Sequence, residues 1–464
     1  MEQTTQSPVK KDYGPLESVP AEARHIGFWD SIATWAGATL QPNTWTLGGT
    51  VICIGALSGI VCSIVTGLLA YGVIGLFAFM CYLTGTSSSG MSRFTLGIRG
   101  SKFFSLAGLI NSCGWSVLSN YMAAITYSYI FQLYFHTPAY GEPGCEAVMV
   151  IGCLLNAIMS YLAVGIGGSR LMKIFENIMM IALGIFSIVL FYVLLKNLSI
   201  SEIFSFRVPE ENRMKLFGAF DFLLAISIPF CVVGGDLGRN MKTSKAARFS
   251  PVAGGVTAQL VFILMGMCGV ILNYKNSGVF DAEAANPSTL AMRTGLGIVA
   301  LLVVLFATVT TNMVDVFAMT NNVMNLAPKL SFKRSAFLAG ILPMLFCWLP
   351  VFIKTFFGVF YSFTDILGAL FPPVIAILLV DFFLIRKRQV HMEDIDRPNG
   401  RYWYSGGFNL YAIIVWLAGS VLYFLLHVVY AISFFSNVII SMVIVAAVYY
   451  LAAKLAVKKG YYQV

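Results

Sequence analysis

The chain is built from apolar runs long enough to cross a membrane, and that pattern excludes most folds at once. A helix needs about 20 predominantly apolar residues to span a bilayer. Such runs recur near 28–53, 56–83, 103–134, 147–166, 174–195, 217–236, 252–273, 294–322, 336–353, 357–384, 408–427 and 430–453, which predicts twelve spans. Only 11% of the 464 residues are charged and the mean hydropathy is +0.80, against about a quarter charged in a soluble domain. The expected fold class is therefore an all-α polytopic membrane protein. Residues 1–27 read as an N-terminal tail, 28–453 as one transmembrane domain and 454–464 as a C-terminal tail. The first 25 residues are polar, with Lys10, Lys11 and Arg24 and no apolar core, so no signal peptide is expected.

The net charge of +9 would suggest a nucleic-acid partner in a soluble chain. Here its meaning lies in placement, and the expected partner is the lipid bilayer, with no nucleic acid. With the N-terminus cytoplasmic, 23 of the 30 Lys and Arg residues fall in cytoplasmic segments and seven outside. That alternation is the positive-inside pattern for twelve spans with both termini cytoplasmic, in a plasma (cytoplasmic) membrane. The nine cysteines form no CxxC pair and the four histidines are scattered, so neither a disulfide framework, a metal cluster nor a cofactor is expected.

Within this pattern several spans carry features that lipid penalises. In the first, Gly37 and Pro42 bracket Ala38-Thr39-Leu40-Gln41, and Gly48-Gly49 follow. Proline removes an amide, clashes with the preceding turn and pushes the residue before it out of the helical region. A plain kink would explain this stretch. So would a helix broken at mid-membrane to hold a substrate and an ion. The sixth span is interrupted by Pro229 and Gly234-Gly235, and the tenth by Gly368 and Pro372-Pro373. Interruptions in spans one and six, five spans apart, match two inverted repeats of five helices, over 28–195 and 217–384, followed by two further helices over 408–453.

Buried polar residues gather in two places. Span eight holds Thr310, Thr311, Asn312 and Asp315. Thr311 and Asp315 share a face, and hydroxyls with nearby carbonyls make a hard-oxygen site for a small cation. Span three holds Ser112, Trp115 and Ser119 on one stripe, a flat ring between hydroxyls that suits a planar polar ligand. Asp236 and Arg239 read as a pair at the end of span six, and Asp221 as an interfacial residue.

Four stretches carry a family resemblance: GATLQPNTWTLGG (37–49), RFTLGIRGS (93–101), GDLGRNMKTSKAA (235–247), and FPPVIAILLVDFFLIRKRQ followed by YWYSGGFN (402–409). With them the chain resembles the nucleobase:cation symporter family 1, and is more similar to cytosine permease than to the hydantoin transporter. The resemblance implies a leucine-transporter-like fold. It implies an ion held by the carbonyls of Gly37 and Leu40 with Ala307, Thr310 and Thr311. It places substrate against Trp115, Gln41 and Asn312, with Ser112, Ser119 and Phe230 as further candidates, and Asp315 as a partner for a ring N–H or a carrier of a proton. The function implied is symport, with Na+ or H+, of a planar heterocycle such as cytosine, a purine, a hydroxymethylpyrimidine or a hydantoin. An uncoupled facilitator or channel for small polar solutes is the alternative. No nucleotide motif or placed nucleophile suggests an enzyme.

Overall fold

The structure, a computed structural model, describes residues 17–327, 329–353 and 356–462, excluding the side chains of 167–173 and 356. Ten helices among the described residues are long and apolar enough to cross a membrane. They are Ala56–Thr84 (span 2), Glu146–Ile166 (4), Ile174–Asn197 (5), Glu210–Gly238 (6), Ser244–Ser277 (7), Gly297–Leu326 (8), Phe332–Ile353 (9), Phe357–Ile385 (10), Leu410–Val429 (11) and Asn437–Lys458 (12). The other two predicted spans are also helical. Span 1 is split into Phe28–Thr39 (1a) and Pro42–Val51 (1b), each too short to cross alone. Span 3, Ser101–Phe135, is long enough, but its serines and asparagines dilute its apolar character.

The spans sort into two packed groups. Spans 1, 2, 6 and 7 contact one another, and spans 3, 4, 8 and 9 form a second set. The second is fastened by buried amides and hydroxyls. Asn156 and Asn312 both donate to Asn120 Oδ1 (2.7 and 2.9 Å), and Ser160 donates to the Val309 carbonyl (3.3 Å). The first group relies on missing side chains. A Cβ at Gly48 would lie 2.5 Å from backbone atoms of Ile263 and Met267 in span 7, and one at Gly238 would lie 2.3 Å from the Ala78 carbonyl of span 2. These glycines permit backbone-close packing, as small residues do between membrane helices. Spans 10, 11 and 12 pack on one another at the side.

Three sequence expectations are corrected. Span 10 is not interrupted at Gly368 or Pro372-Pro373: the helix runs through all three. Gly368 instead accepts the ring of Tyr423, and Trp416 Nε1 donates to the Leu370 carbonyl (2.8 Å) beside the prolines. Span 12 begins at Asn437, not near 430, because Ser436 caps it by accepting from Ile439 N (3.2 Å). Asp221 is not interfacial. It is 1% exposed and accepts the amide of Asn437 (2.8 Å). Span 6 does change at Pro229, tightening to a one-turn 3₁₀ segment over Ile228–Phe230. At its end Asp236 accepts the amide of Ser88 (2.9 Å), holding the short helix Ser88–Leu96 against it.

One face gathers both ends of the described chain: Val19 N donates to Gly85 O (2.8 Å), and Tyr461 donates to Phe408 O (3.3 Å). We call this the terminal face and the opposite one the distal face. At the terminal end of span 10 the helix becomes a π-helix over Asp381–Ile385. Asp381 there pairs with Arg386, Nε to Oδ2 at 2.9 Å, with both side chains no more than 2% exposed. The carboxylate also accepts from Thr95 (2.7 Å), Tyr449 (3.1 Å) and Tyr462. Arg386 and Tyr404 both donate to the Phe94 carbonyl (2.8 and 2.6 Å). Removing one partner of a buried pair leaves an uncompensated charge, so Asp381→Asn should cost about 3–5 kcal/mol of stability. Tyr462→Phe should cost about 1 kcal/mol. Thermal unfolding of the purified variants in detergent checks both, with Asp381→Asn melting lowest.

Candidate functional site

The site is organised by the break in span 1. Leu40 N still donates to the carbonyls of Ala36 and Gly37 (2.9 and 3.1 Å), but Gln41 is extended (φ −132°, ψ 145°) and Pro42 starts span 1b. This is the geometry that proline demands of the residue before it, and the first helical turn is where proline is tolerated. The carbonyls of Ala38, Thr39 and Leu40 lose their helical partners, since Pro42 has no N–H and Thr44 N turns to Gln41 O (3.0 Å). Gln41 Nε2 donates to Ala38 O (2.7 Å), and Thr44 Oγ1 donates to Thr39 O (2.9 Å). Side chains of the break thus cap two of the three.

Beside it lies a narrow cavity, about 30 Å³ of free space, lined by Thr39, Gln41, Asn43, Thr44, Leu47, Tyr71, Trp115, Ile226, Ser227, Phe230 and Gln259. Trp115 forms one wall. Phe360 and Phe363 of span 10 brace it at 70° and 89°, with ring centroids 5.8 and 5.6 Å away. Asn43 donates to Ser119 (3.1 Å), while its Oδ1 is buried without a partner among the described residues. Gln259 of span 7 is 4% exposed, and its Nε2 is likewise unpartnered. An open acceptor and an open donor therefore line a cavity with an indole wall. Buried polar groups are almost always paired, so two exceptions at one cavity mark where a ligand's hydrogen bonds would fall.

Of the substrate residues read from the sequence, Gln41, Trp115 and Phe230 line this cavity. Ser119 sits behind Asn43 as its acceptor. Ser112 is buried outside the lining. Asn312 does not reach the cavity either. It is fully buried, accepting from Ser116 (2.5 Å) and donating to Asn120 (2.9 Å). Asp315 lies outside the lining, with Oδ2 buried and without a hydrogen-bond partner among the described residues. Sequence reasoning missed Asn43 and Gln259. Asn43 directly follows the proline of the break, and Gln259 is a lone amide in an apolar span. A polar residue at membrane depth is itself a signal of function.

The ion residues fall into two parts. On span 8, Thr310 and Thr311 hydroxyls both donate to the Ala307 carbonyl (2.8 and 3.0 Å), gathering three oxygens. On span 1, Gly37 backs onto Met180 of span 5, whose sulfur lies 2.8 Å from where a Cβ would be. Span 1a packs mainly against the first part of span 7. Among the described residues no hydrogen bond joins Gly37 or Leu40 to the span 8 oxygens. A larger hollow of about 550 Å³ opens on the distal face among Tyr121, Tyr129, Tyr140, Glu142, Asp281, Glu283 and Arg293, and contains no residue of the break.

Residues 18–457 match the family model described as permease for cytosine/purines, uracil, thiamine and allantoin. A purine-uracil permease NCS1 of Arabidopsis thaliana is 25% identical over 454 residues, covering 91% of this chain and 73% of that protein. The hydantoin permease of Microbacterium maritypicum is 21% identical, covering 87% and 82%. Among solved structures, inward-facing Mhp1 superposes with a TM-score of 0.78 at 18% identity, covering 95% of this chain and 93% of that one. At that identity the likeness shows the fold, with its two groups of spans and its interrupted helices.

The position of Asn312 makes a testable distinction. Asn312→Ala strands the buried Ser116 hydroxyl and leaves Asn120 Oδ1 to Asn156 alone, which should cost about 1–3 kcal/mol. It should lower the unfolding temperature while leaving ligand affinity of the folded protein unchanged. Thermal unfolding and equilibrium binding, measured on the same preparation, separate the two effects.

Proposed function

Because the chain belongs to the family of permeases for cytosine/purines, uracil, thiamine and allantoin, we propose that it carries a planar nitrogen heterocycle across the plasma membrane by cation-coupled symport. The single observation that carries the reading is the cavity at the break. It has the Trp115 indole as a wall, with Asn43 Oδ1 an open acceptor and Gln259 Nε2 an open donor. A flat ring bearing an N–H beside a carbonyl, as in a nucleobase or a hydantoin, complements that set by stacking and by two hydrogen bonds. Both termini are cytoplasmic in this reading, following the basic residues.

Coupling follows from the division between the two groups of spans. Leu40 and Gly37 belong to one group, and Ala307, Thr310 and Thr311 to the other. A Na+ taken up between them favours the arrangement in which they meet. The substrate, held between Trp115 of the second group and the span 1 break of the first, favours it too. Two ligands that bias one equilibrium raise each other's affinity. If the coupling ion is H+, Asp315 is its carrier, with a buried unpartnered oxygen one turn from Thr311.

Uptake by proteoliposomes tests the reading. Radiolabelled uracil, cytosine, hypoxanthine and hydantoin are offered with a sodium gradient, a proton gradient or neither. Concentrative uptake of at least one ring should require one of the two gradients; uptake that only equilibrates would establish a facilitator instead. Trp115→Ala should weaken binding by about 1–3 kcal/mol, the worth of one aromatic stack on a base, and Trp115→Phe should retain most of it. Gln259→Leu should erase the preference for rings that can accept its hydrogen bond, as read by competition binding. Thr311→Ala should reduce the sodium dependence of uptake before it lowers stability.

A further inference from the structure

Away from the cavity, three titratable side chains meet in a seam near the distal face. His427 of span 11 has Nδ1 3.6 Å from Asp221 Oδ2 of span 6 and Nε2 3.2 Å from Asp365 Oδ1 of span 10. A neutral imidazole has one N–H and one acceptor nitrogen; only the protonated ring donates from both ends. Two carboxylates, one at each nitrogen, therefore make a site for a proton.

The surroundings hold this arrangement from every side. Asp221 accepts from the Ser436 hydroxyl and from the amides of Asn437 and Val438 (2.8 and 3.3 Å), the first turn of span 12. Its charge is thus anchored on a helix N-terminus. Span 11 changes from α to π over Leu425–Val429, and His427 is the middle residue of that segment. Such π segments frequently mark functional sites. Tyr423, one turn earlier, stacks on the imidazole at 5.2 Å and 14°. Its ring fills the space beside Gly368 of span 10, where a Cβ would come within 2.4 Å. Asn437 Nδ2 lies 3.3 Å from Nδ1, and Lys215 at the start of span 6 is turned to Ser433 (2.9 Å). Asp365 is 37% exposed and His427 24%, so the proton exchanges without unfolding.

We propose that Asp221, His427 and Asp365 form a proton-binding latch, separate from the substrate cavity, that ties the distal half of span 10 to spans 6 and 11. That half of span 10 backs the Trp115 wall of the cavity. Phe360 and Phe363 brace Trp115, Phe222 packs on Phe360 and Tyr361 (5.2 and 5.3 Å), and the Tyr361 and Thr50 hydroxyls are hydrogen-bonded at 3.0 Å. With the proton bound, both ends of the imidazole are fastened and span 10 is held in place. When the proton leaves, the ring keeps one donor: Nδ1 becomes an acceptor for Asn437 Nδ2 (3.3 Å), the link to Asp221 is lost, and the Nε2–H contact to Asp365 loses its charge assistance. The latched state binds one proton more than the released state, so rising pH favours release. The latch operates whichever ring or ion the protein carries.

Hydrogen exchange on the substrate-free full chain in nanodiscs tests the proposal without reference to transport. Protection factors of 357–371 are measured from about pH 5 to about pH 9, a range bracketing histidine titration, for the wild type, His427→Gln and Asp365→Asn. In the wild type, protection should fall by about tenfold with rising pH, the loss of one charge-assisted hydrogen bond. In both variants it should be low and independent of pH. Span 8 peptides should not respond in any of the three. Flat protection of 357–371 in the wild type, or a wild-type pH profile in Asp365→Asn, overturns the latch. Asp365→Asn preserves side-chain shape at a part-exposed position, so it decides the matter even where His427→Gln fails to fold.

Discussion

The buried pair of Asp381 and Arg386 fixes the terminal face, and much of the fold depends on it. Removing two charges from water is expensive, and their attraction offsets that only when the remaining hydrogen-bonding capacity is filled. Here Asp381 receives donors from Thr95, Arg386, Tyr449 and Tyr462. Burial works against the Arg386 charge, and Asp381 together with the Tyr404 and Tyr402 oxygens outweighs it, holding the guanidinium above its ordinary range. Those donors come from the helix after span 2, from span 12 and from the chain's C-terminal segment. RFTLGIRGS, far from the other two in sequence, converges on this pair with the neighbouring stretches FFLIRKR and YWYSGGFN. A node satisfied from so many elements leaves the terminal end of span 10 little freedom. The distal half lies outside this node; it backs Trp115 and carries Asp365 of the His427 cluster.

The break in span 1 solves a different problem by a local route. A helix opened inside a membrane must find partners for the groups it frees. Gln41 and Thr44 supply them for Ala38 and Thr39, while the Leu40 carbonyl is left to the proposed ion. One step outward, Asn43 Oδ1 and Gln259 Nε2 are buried without partners among the described residues. At about 30 Å³ the cavity has room for a water or two, so a planar ring enters as the two groups of spans part and meets Asn43 Oδ1 and Gln259 Nε2 there.

The architecture was legible where the physics is one-dimensional. Apolar length places the spans, and the Gly37–Pro42 pattern forces a break whatever packs around it. Trp115 was legible because a large ring amid hydroxyls at mid-span has few other uses. Reading failed where a residue's meaning depends on a neighbour distant in sequence. Pro372-Pro373 look like a break, but packing from span 11 carries the helix through them. Asp221 looks interfacial, because nothing near it in sequence reveals that Ser436 and the start of span 12 receive its charge. Asn312 looks like a ligand-binding amide, since the sequence does not show that Asn120 and Ser116 already occupy it. In each case the sequence shows which groups are costly to bury and leaves out which partners relieve the cost.

That distinction bears on how coupling arises. The span 8 oxygens are held together by the second group of spans and the Gly37–Leu40 carbonyls by the first, so neither group builds the proposed ion site alone. A ligand shifts an equilibrium only by its differential affinity for the two states. An ion that contacts one half-site equally in every state shifts nothing, however tightly it binds. Coupling strength is therefore set by how completely the two half-sites separate as the groups move. Shared hydrogen bonds across the boundary would reduce that separation. The span 3–4–8 group keeps its asparagine network internal, and the first group packs through glycine contacts of its own. Both devices concentrate strong interactions within a group, and at the cavity the hydrogen bond from Asn43 of span 1b to Ser119 of span 3 bridges the boundary, so it must break or shift as the groups separate.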